Sequence, residues 1–105
     1  MKCCSQNFNK INLINKNINL LKTIVEPNRL KILCVLKADR LCECEIIECL
    51  KLRQNLISHH LSVLEKEKLI KSQKEGRKIF YSLNKREIRK LSNFLNKILG
   101  GSYGH

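Results

Sequence analysis

The sequence predicts a mainly α fold with one β-hairpin, and three observations carry that prediction. Apolar residues recur every three or four positions in five separate runs. Two of those runs are joined by only three residues, Lys51-Leu52-Arg53. One stretch switches from helical spacing to alternation beside a glycine. The chain of 105 residues has room for one core, so residues 1–105 are read as a single domain, with a flexible arm at 1–7 and a flexible tail at 100–105.

The first helix runs from Phe8 to Val25, where Phe8, Ile11, Ile14, Ile18, Leu21 and Val25 form one stripe among Asn and Lys. Pro27 suits the first turn of a second helix, whose inward face is read as Leu30, Leu33, Cys34 and Leu36 and which ends near Lys37-Ala38-Asp39. A short third helix, Cys42 to Leu50, has Ile46, Cys49 and Leu50 on its apolar side. After the tight connection, a fourth helix from Gln54 to Glu67 places Ile57, Leu61 and Leu64 at helical spacing. Two helices joined by so short a turn make a helix-turn-helix. In LIKSQKEGRKIFYSL the turn falls at Glu75-Gly76-Arg77, and Ile79, Tyr81 and Leu83 alternate after it, as in a hairpin. Arg86 to Leu99 then carries Ile88, Leu91, Leu95 and Ile98 on one face as a fifth helix. The order ααααββα, a helix-turn-helix followed by a hairpin, is a winged helix-turn-helix. Its first and last helices hold more apolar surface than one small core covers, which predicts a two-fold homodimer through them.

Composition narrows the function. Lys and Arg number 21 against 9 Asp and Glu, a formal net charge of +12, which attracts a polyanion. Nucleic acid is the expected partner. A membrane is not, because no Trp anchors a basic amphipathic helix and no apolar run is long enough to span a bilayer. The N-terminus MKCCSQNFNK lacks a signal peptide's apolar segment, so a cytoplasmic location is expected. In that reducing compartment six cysteines point to thiolate ligands or redox chemistry, not to a disulfide scaffold. The near neighbours, Cys3 beside Cys4 and Cys42 two residues from Cys44, are expected not to bridge each other without strain. No phosphate-cradling glycine loop or catalytic set of nucleophile and base occurs, so no enzyme is expected.

A DNA-reading helix needs short polar side chains near its N-terminal end, backed by apolar residues that seat it. Gln54-Asn55-Leu56-Ile57-Ser58-His59-His60-Leu61 meets this requirement: Gln54 and Asn55 suit adenine, Ser58 suits either groove wall, and His59 lies one turn beyond Asn55. Lys71, Lys74, Arg77 and Lys78 cluster on the hairpin, where they suit the phosphate backbone or the adjacent minor groove. His59 and His60 diverge by about 100° on a helix and chelate one ion poorly, so His60 is read as structural.

With these residues in view, the chain resembles the ArsR/SmtB metal-sensing repressors from Leu21 through Asn84. LKTIVEPNRLKILCVL is similar to the family's opening segment, LCECEIIECLKLRQNLISHHLSVLEKEKLI to its metal box and reading head, and EGRKIFYSL to its wing. The resemblance implies a winged-helix dimer that occupies double-stranded operator DNA as a repressor when metal-free. It also implies that Cys42 and Cys44 ligate a thiophilic ion, As(III), Cd(II), Pb(II) or Zn(II), with Cys3 and Cys4 completing the site across the dimer. The Cys-x-Cys spacing suits this physically, because the pair straddles a helix start whose positive end favours thiolates. Three thiolates suit As(III) and four suit the divalent ions, with As(III) slightly favoured by the likeness of LRQNLISHHL to the arsenic branch. Two departures stand out. Ile47 occupies the position of a third local cysteine in some arsenic repressors, and Lys85, Glu87, Ile98 and Gly101 replace the last-helix zinc ligands of other relatives, so no such zinc site is expected. Cys34 and Cys49 are read as core. The alternatives are a redox- or persulfide-sensing repressor, for which Cys34 lacks a last-helix partner cysteine, and a cysteine-rich metal-storage protein.

Overall fold

The computed structural model describes residues 2–100, with side chains from Ile11 onward. Five helices and three short strands follow in the order α1 (Lys2–Ile24), α2 (Pro27–Ala38), β1 (Leu41–Cys42), α3 (Glu43–Leu50), α4 (Gln54–Lys66), β2 (Ile70–Glu75), β3 (Lys78–Leu83) and α5 (Lys85–Leu99). The expected mainly α fold with a hairpin wing is therefore present. Helix α1 starts at Lys2 and not at Phe8, so the backbone of residues 2–7, read as an arm, is helical. No Pro or Gly between Lys2 and Ile24 stops the helix from extending. The tail from residue 101 lies outside the described residues.

Each boundary has a local cause. The Glu26 carboxylate accepts hydrogen bonds from the Asn28 and Arg29 amides at 3.2 Å and caps α2, while Pro27 opens its first turn. The Cys42 amide donates to Glu45 Oε1 at 2.9 Å, so a carboxylate reaching back from the first turn fixes the start of α3. Lys51 ends that helix in the left-handed region, φ 54°, its amide returning to the Ile47 carbonyl at 2.7 Å. Gly76 holds φ 65° in the two-residue turn between Glu75 and its partner Lys78. A positive φ at the first central position is what a type II′ hairpin turn requires, and glycine takes it without strain.

Strand β1 is the element that periodicity missed, since two residues are too few to show any. It pairs antiparallel with β3, Leu41 opposite Tyr81 and Cys42 opposite Phe80, and β2 lies on the other side of β3 in the order β1-β3-β2. The core gathers Ile32, Leu33 and Leu36 of α2, Ile46 of α3, Ile57, Leu61 and Leu64 of α4, and Leu69 and Ile70 at the foot of the wing. Leu91 and Phe94 are the buried residues of α5.

The inward face expected for α2 is partly wrong. Leu30 is 53% exposed and Cys34 is exposed, whereas Ile32, not counted among the apolar positions, is fully buried. Leu30 and Cys34, four residues apart, instead line an apolar cavity of about 410 Å³ with Ile24, Leu33, Leu83, Ile88 and Leu91. Cys49 of α3 is likewise exposed, not core: Ile46 is the buried residue of that short helix, and Ile47 and Leu50 pack beside it.

Candidate functional site: the α4 face and the cysteine pair

Helix α4 is seated by its apolar residues and by one polar one. Ile57, His60, Leu61 and Leu64 are buried, and the opposite face leaves Gln54, Asn55 and His59 exposed. Gln54, Asn55 and Ser58 line a shallow concavity at the front of the helix. Lys71, Lys74, Arg77 and Lys78 are all exposed on the wing. Arg40, just before β1, steadies the wing tip: it donates to Glu75 Oε1 at 2.8 Å and lies over the Phe80 ring, 4.2 Å from its centroid. That hydrogen bond holds the Glu75 carboxyl below the usual range, so the pair stays ionised at neutral pH. Ser72 of β2 donates to Glu65 of α4 at 2.6 Å and ties the wing to the helix it flanks.

Cys42 and Cys44 straddle the start of α3. Cys42 is the last residue of β1, only 2% exposed, and Cys44 is the second residue of α3 and exposed. Their sulfurs face each other as a disulfide pair. An extended Cys42, φ −81° and ψ 164°, followed at once by helix sets the Cα atoms 5.4 Å apart, inside the range a disulfide spans. Around the pair lies a cavity of about 220 Å³ bounded by Glu43, Arg77, Lys78 and Ile79, so two of the wing's basic residues border the cysteine site. Among the described residues no group of three or more His, Cys, Asp or Glu side chains is placed to hold a metal. The side chains of Cys3 and Cys4 lie outside the described residues.

Two contacts escaped the reading of the sequence. Ser58 of α4, read as a base contact, donates its hydroxyl to Glu43, the residue between the cysteines. His60 is enclosed by Arg29 and Glu26 of the corner between α1 and α2. A carboxylate inside a Cys-x-Cys box, one short helix before a polar-fronted one, was the available hint for the first. Tyr81 senses the same surroundings: burial, then the charges of Glu43 and Glu65, pushes its hydroxyl's pKa up.

A polar-fronted helix seated in a helix-turn-helix, flanked by a basic wing on a chain of net charge +12, defines a DNA-binding transcription regulator of winged-helix type. Residues 26–72 match the family described as bacterial regulatory protein, arsR family. Over 83 residues the chain is 32% identical to the transcriptional activator HlyU of Vibrio cholerae, covering 79% of this chain and 77% of that protein. It is 37% identical over 65 residues to the arsenical resistance operon repressor of Staphylococcus xylosus, covering 62% of each. The solved structure of HlyU from Vibrio cholerae superposes with a TM-score of 0.68 at 31% identity, covering 83% of this chain and 95% of that one. The chain belongs to the ArsR/SmtB family.

Proposed function

We propose that the chain is a metal(loid)-responsive repressor that holds operator DNA as an apo homodimer and releases it when a thiophilic ion binds its cysteine thiolates. The observation that carries this reading is the place of Cys42 and Cys44: two sulfurs within bonding reach, beside the wing's Arg77 and Lys78 and linked through Glu43 to Ser58 of α4. A soft ion needs paired thiolates, and an ion bound there acts next to both DNA-facing elements. Cys3 and Cys4 of the second copy supply the remaining sulfurs in this reading, three in all for As(III) or four for Cd(II), Pb(II) or Zn(II). The family's arsenical repressor supports an inducer of this kind.

Gln54, Asn55, Ser58 and His59 read base edges in the major groove, and Lys74, Arg77 and Lys78 lie along phosphate. The homodimer is supported by apolar surface that a single copy leaves in water: Ile11 and Ile18 on α1, Val25 at 72% exposure, and Leu30 and Leu99, next to the cavity between α1, α2 and α5. No helix among the described residues is long and apolar enough to cross a membrane, and a regulator of DNA acts in the cytoplasm.

The experiment is fluorescence anisotropy of the reduced protein on the DNA upstream of its own gene, titrated in turn with arsenite, cadmium, lead and zinc. Release at stoichiometric ion is the expected result, and Cys42→Ser should keep DNA binding while losing the response. A Cys42→Ser protein that still lets go overturns the site. The bonded sulfurs favour a second reading, in which Cys42 and Cys44 interconvert between dithiol and disulfide. Release by a mild thiol oxidant with no metal present would select it.

A further inference from the structure

His60 is the one buried polar residue of α4, 5% exposed, and it spans two helices. Arg29 of α2 donates from Nε to His60 Nδ1 at 3.1 Å. A guanidinium has no acceptor, so Nδ1 must carry the lone pair and the ring proton must sit on Nε2. Nε2 faces Glu26 Oε2 at 3.3 Å. Glu26 in turn caps α2, and Arg29 also donates from Nη1 to the Thr23 carbonyl in the last turn of α1, at 3.5 Å. One imidazole thereby fastens the back of α4 to the end of α1 and the start of α2.

We propose that His60 is the positioning residue of the DNA-reading helix: the Arg29–His60–Glu26 buttress sets the pose of α4, and protonation of the ring at Nδ1 undoes it. A proton on Nδ1 removes the acceptor for Arg29 and places an imidazolium against a guanidinium. The charged and titratable groups facing the ring are Glu26 from the corner, Arg29 from α2 and His59 from its own helix. Burial, chiefly, with Arg29 and His59 adding, keeps the ring neutral at pH 7, against the pull of Glu26. The inference rests on α4 reading DNA and on nothing assigned to the cysteines.

The distinguishing readout is the ratio of affinities for the upstream duplex and for a scrambled duplex of equal length. A charge effect on the phosphate backbone changes binding to any DNA and cancels in that ratio, whereas a displaced α4 loses only sequence preference. For the wild type the ratio should hold above about pH 6.5 and fall about tenfold as pH drops below it through the ring's lowered pKa, the worth of one charge-assisted hydrogen bond. His60→Asn, whose side-chain oxygen accepts from Arg29 and does not titrate in this range, should keep the neutral-pH ratio within about threefold and remove the pH dependence. Circular dichroism should stay native across this range.

A wild-type ratio indifferent to pH, or a His60→Asn protein with the wild-type pH profile, overturns the proposal while leaving DNA reading intact. Helix content lost in step with the ratio overturns it too, because His60 would then only hold the fold. A wild type with no preference for its upstream DNA at any pH removes the reading role of α4 and the proposal with it.

Discussion

Ser58 of the reading helix donates its hydroxyl hydrogen to the carboxylate of Glu43, which stands between the two cysteines of the Cys-x-Cys box. A serine suited to base contact is therefore held back by the same turn of chain that carries the sulfurs. On the function proposed above, an ion that draws Cys42 and Cys44 into a new geometry would move Glu43, and the hydrogen bond to Ser58 would carry that movement to α4. Glu43→Ala should still bind DNA, while the inducing ion's effect on DNA affinity shrinks by about tenfold, the range of one hydrogen bond to a charged group. Anisotropy titrations with and without the ion check this. An undiminished response would mean that the signal travels elsewhere.

The wing's basic residues predict a salt signature. If Arg77 and Lys78 each neutralise one phosphate, removing either with alanine should lower the slope of log affinity against log salt by about 1 and weaken all duplexes alike. Asn55→Ala should leave that slope unchanged and cost about 1–3 kcal/mol only on sites with the matching base. Exchange of these two signatures would reverse the roles of wing and helix.

Gly76 tests the hairpin independently of DNA. Its φ of 65° is a conformation that side chains resist, and a Cβ placed there meets nothing within 4 Å. Gly76→Ala should therefore cost backbone strain alone, about 1–2 kcal/mol, lowering the melting temperature by about 4–8 °C for each kcal/mol. A melting point that does not move would mean that the turn relaxes to another type.

Stability should respond to acid through the same histidine that seats α4. Its folded pKa lies below the ordinary value of 6.5, chiefly because of burial, so the unfolded chain takes up the proton first as pH falls. Stability is at its full value above about pH 6.5 and declines below it, until the folded ring also protonates. Glu26 acts in a lower window. Burial opposes its ionisation, but the Asn28 and Arg29 amides, with the charges of His60 and Arg29, hold its carboxyl below 4.5, and that contribution is lost only as pH falls through the lowered value. Urea unfolding of the wild type should show the first decline, and His60→Asn should lack it.

Much of this architecture was legible because amphipathic helices announce themselves. Pro27, the Lys51-Leu52-Arg53 connection and the Glu75-Gly76-Arg77 turn all mark real boundaries, and Ile57, Leu61 and Leu64 are the inner face of α4. Periodicity failed where a residue faces neither core nor open water. Leu30 and Cys34 carry the right spacing for the interior but face the cavity beside α5, a distinction only the packing of three helices makes. Strand β1 escaped because it is defined by its partners in β3 and not by its own two residues. The polar links were illegible for a related reason. Arg29 and His60 lie 31 positions apart and Ser58 and Glu43 lie 15 apart, and no local pattern couples them.

The strand order β1-β3-β2 leaves β2 with an open edge whose middle residues, Lys71 through Lys74, are all polar and exposed. An unpaired edge is a template on which other copies stack, and lysines placed along it are a common guard against such growth. Lys74, proposed to lie along phosphate, would then also guard this edge, together with Lys71, when no DNA covers it. Lysine-to-alanine variants on this strand would combine weaker DNA contact with a shorter life in solution, and glutamate in the same places would separate the two effects by keeping the edge charged while repelling the phosphates.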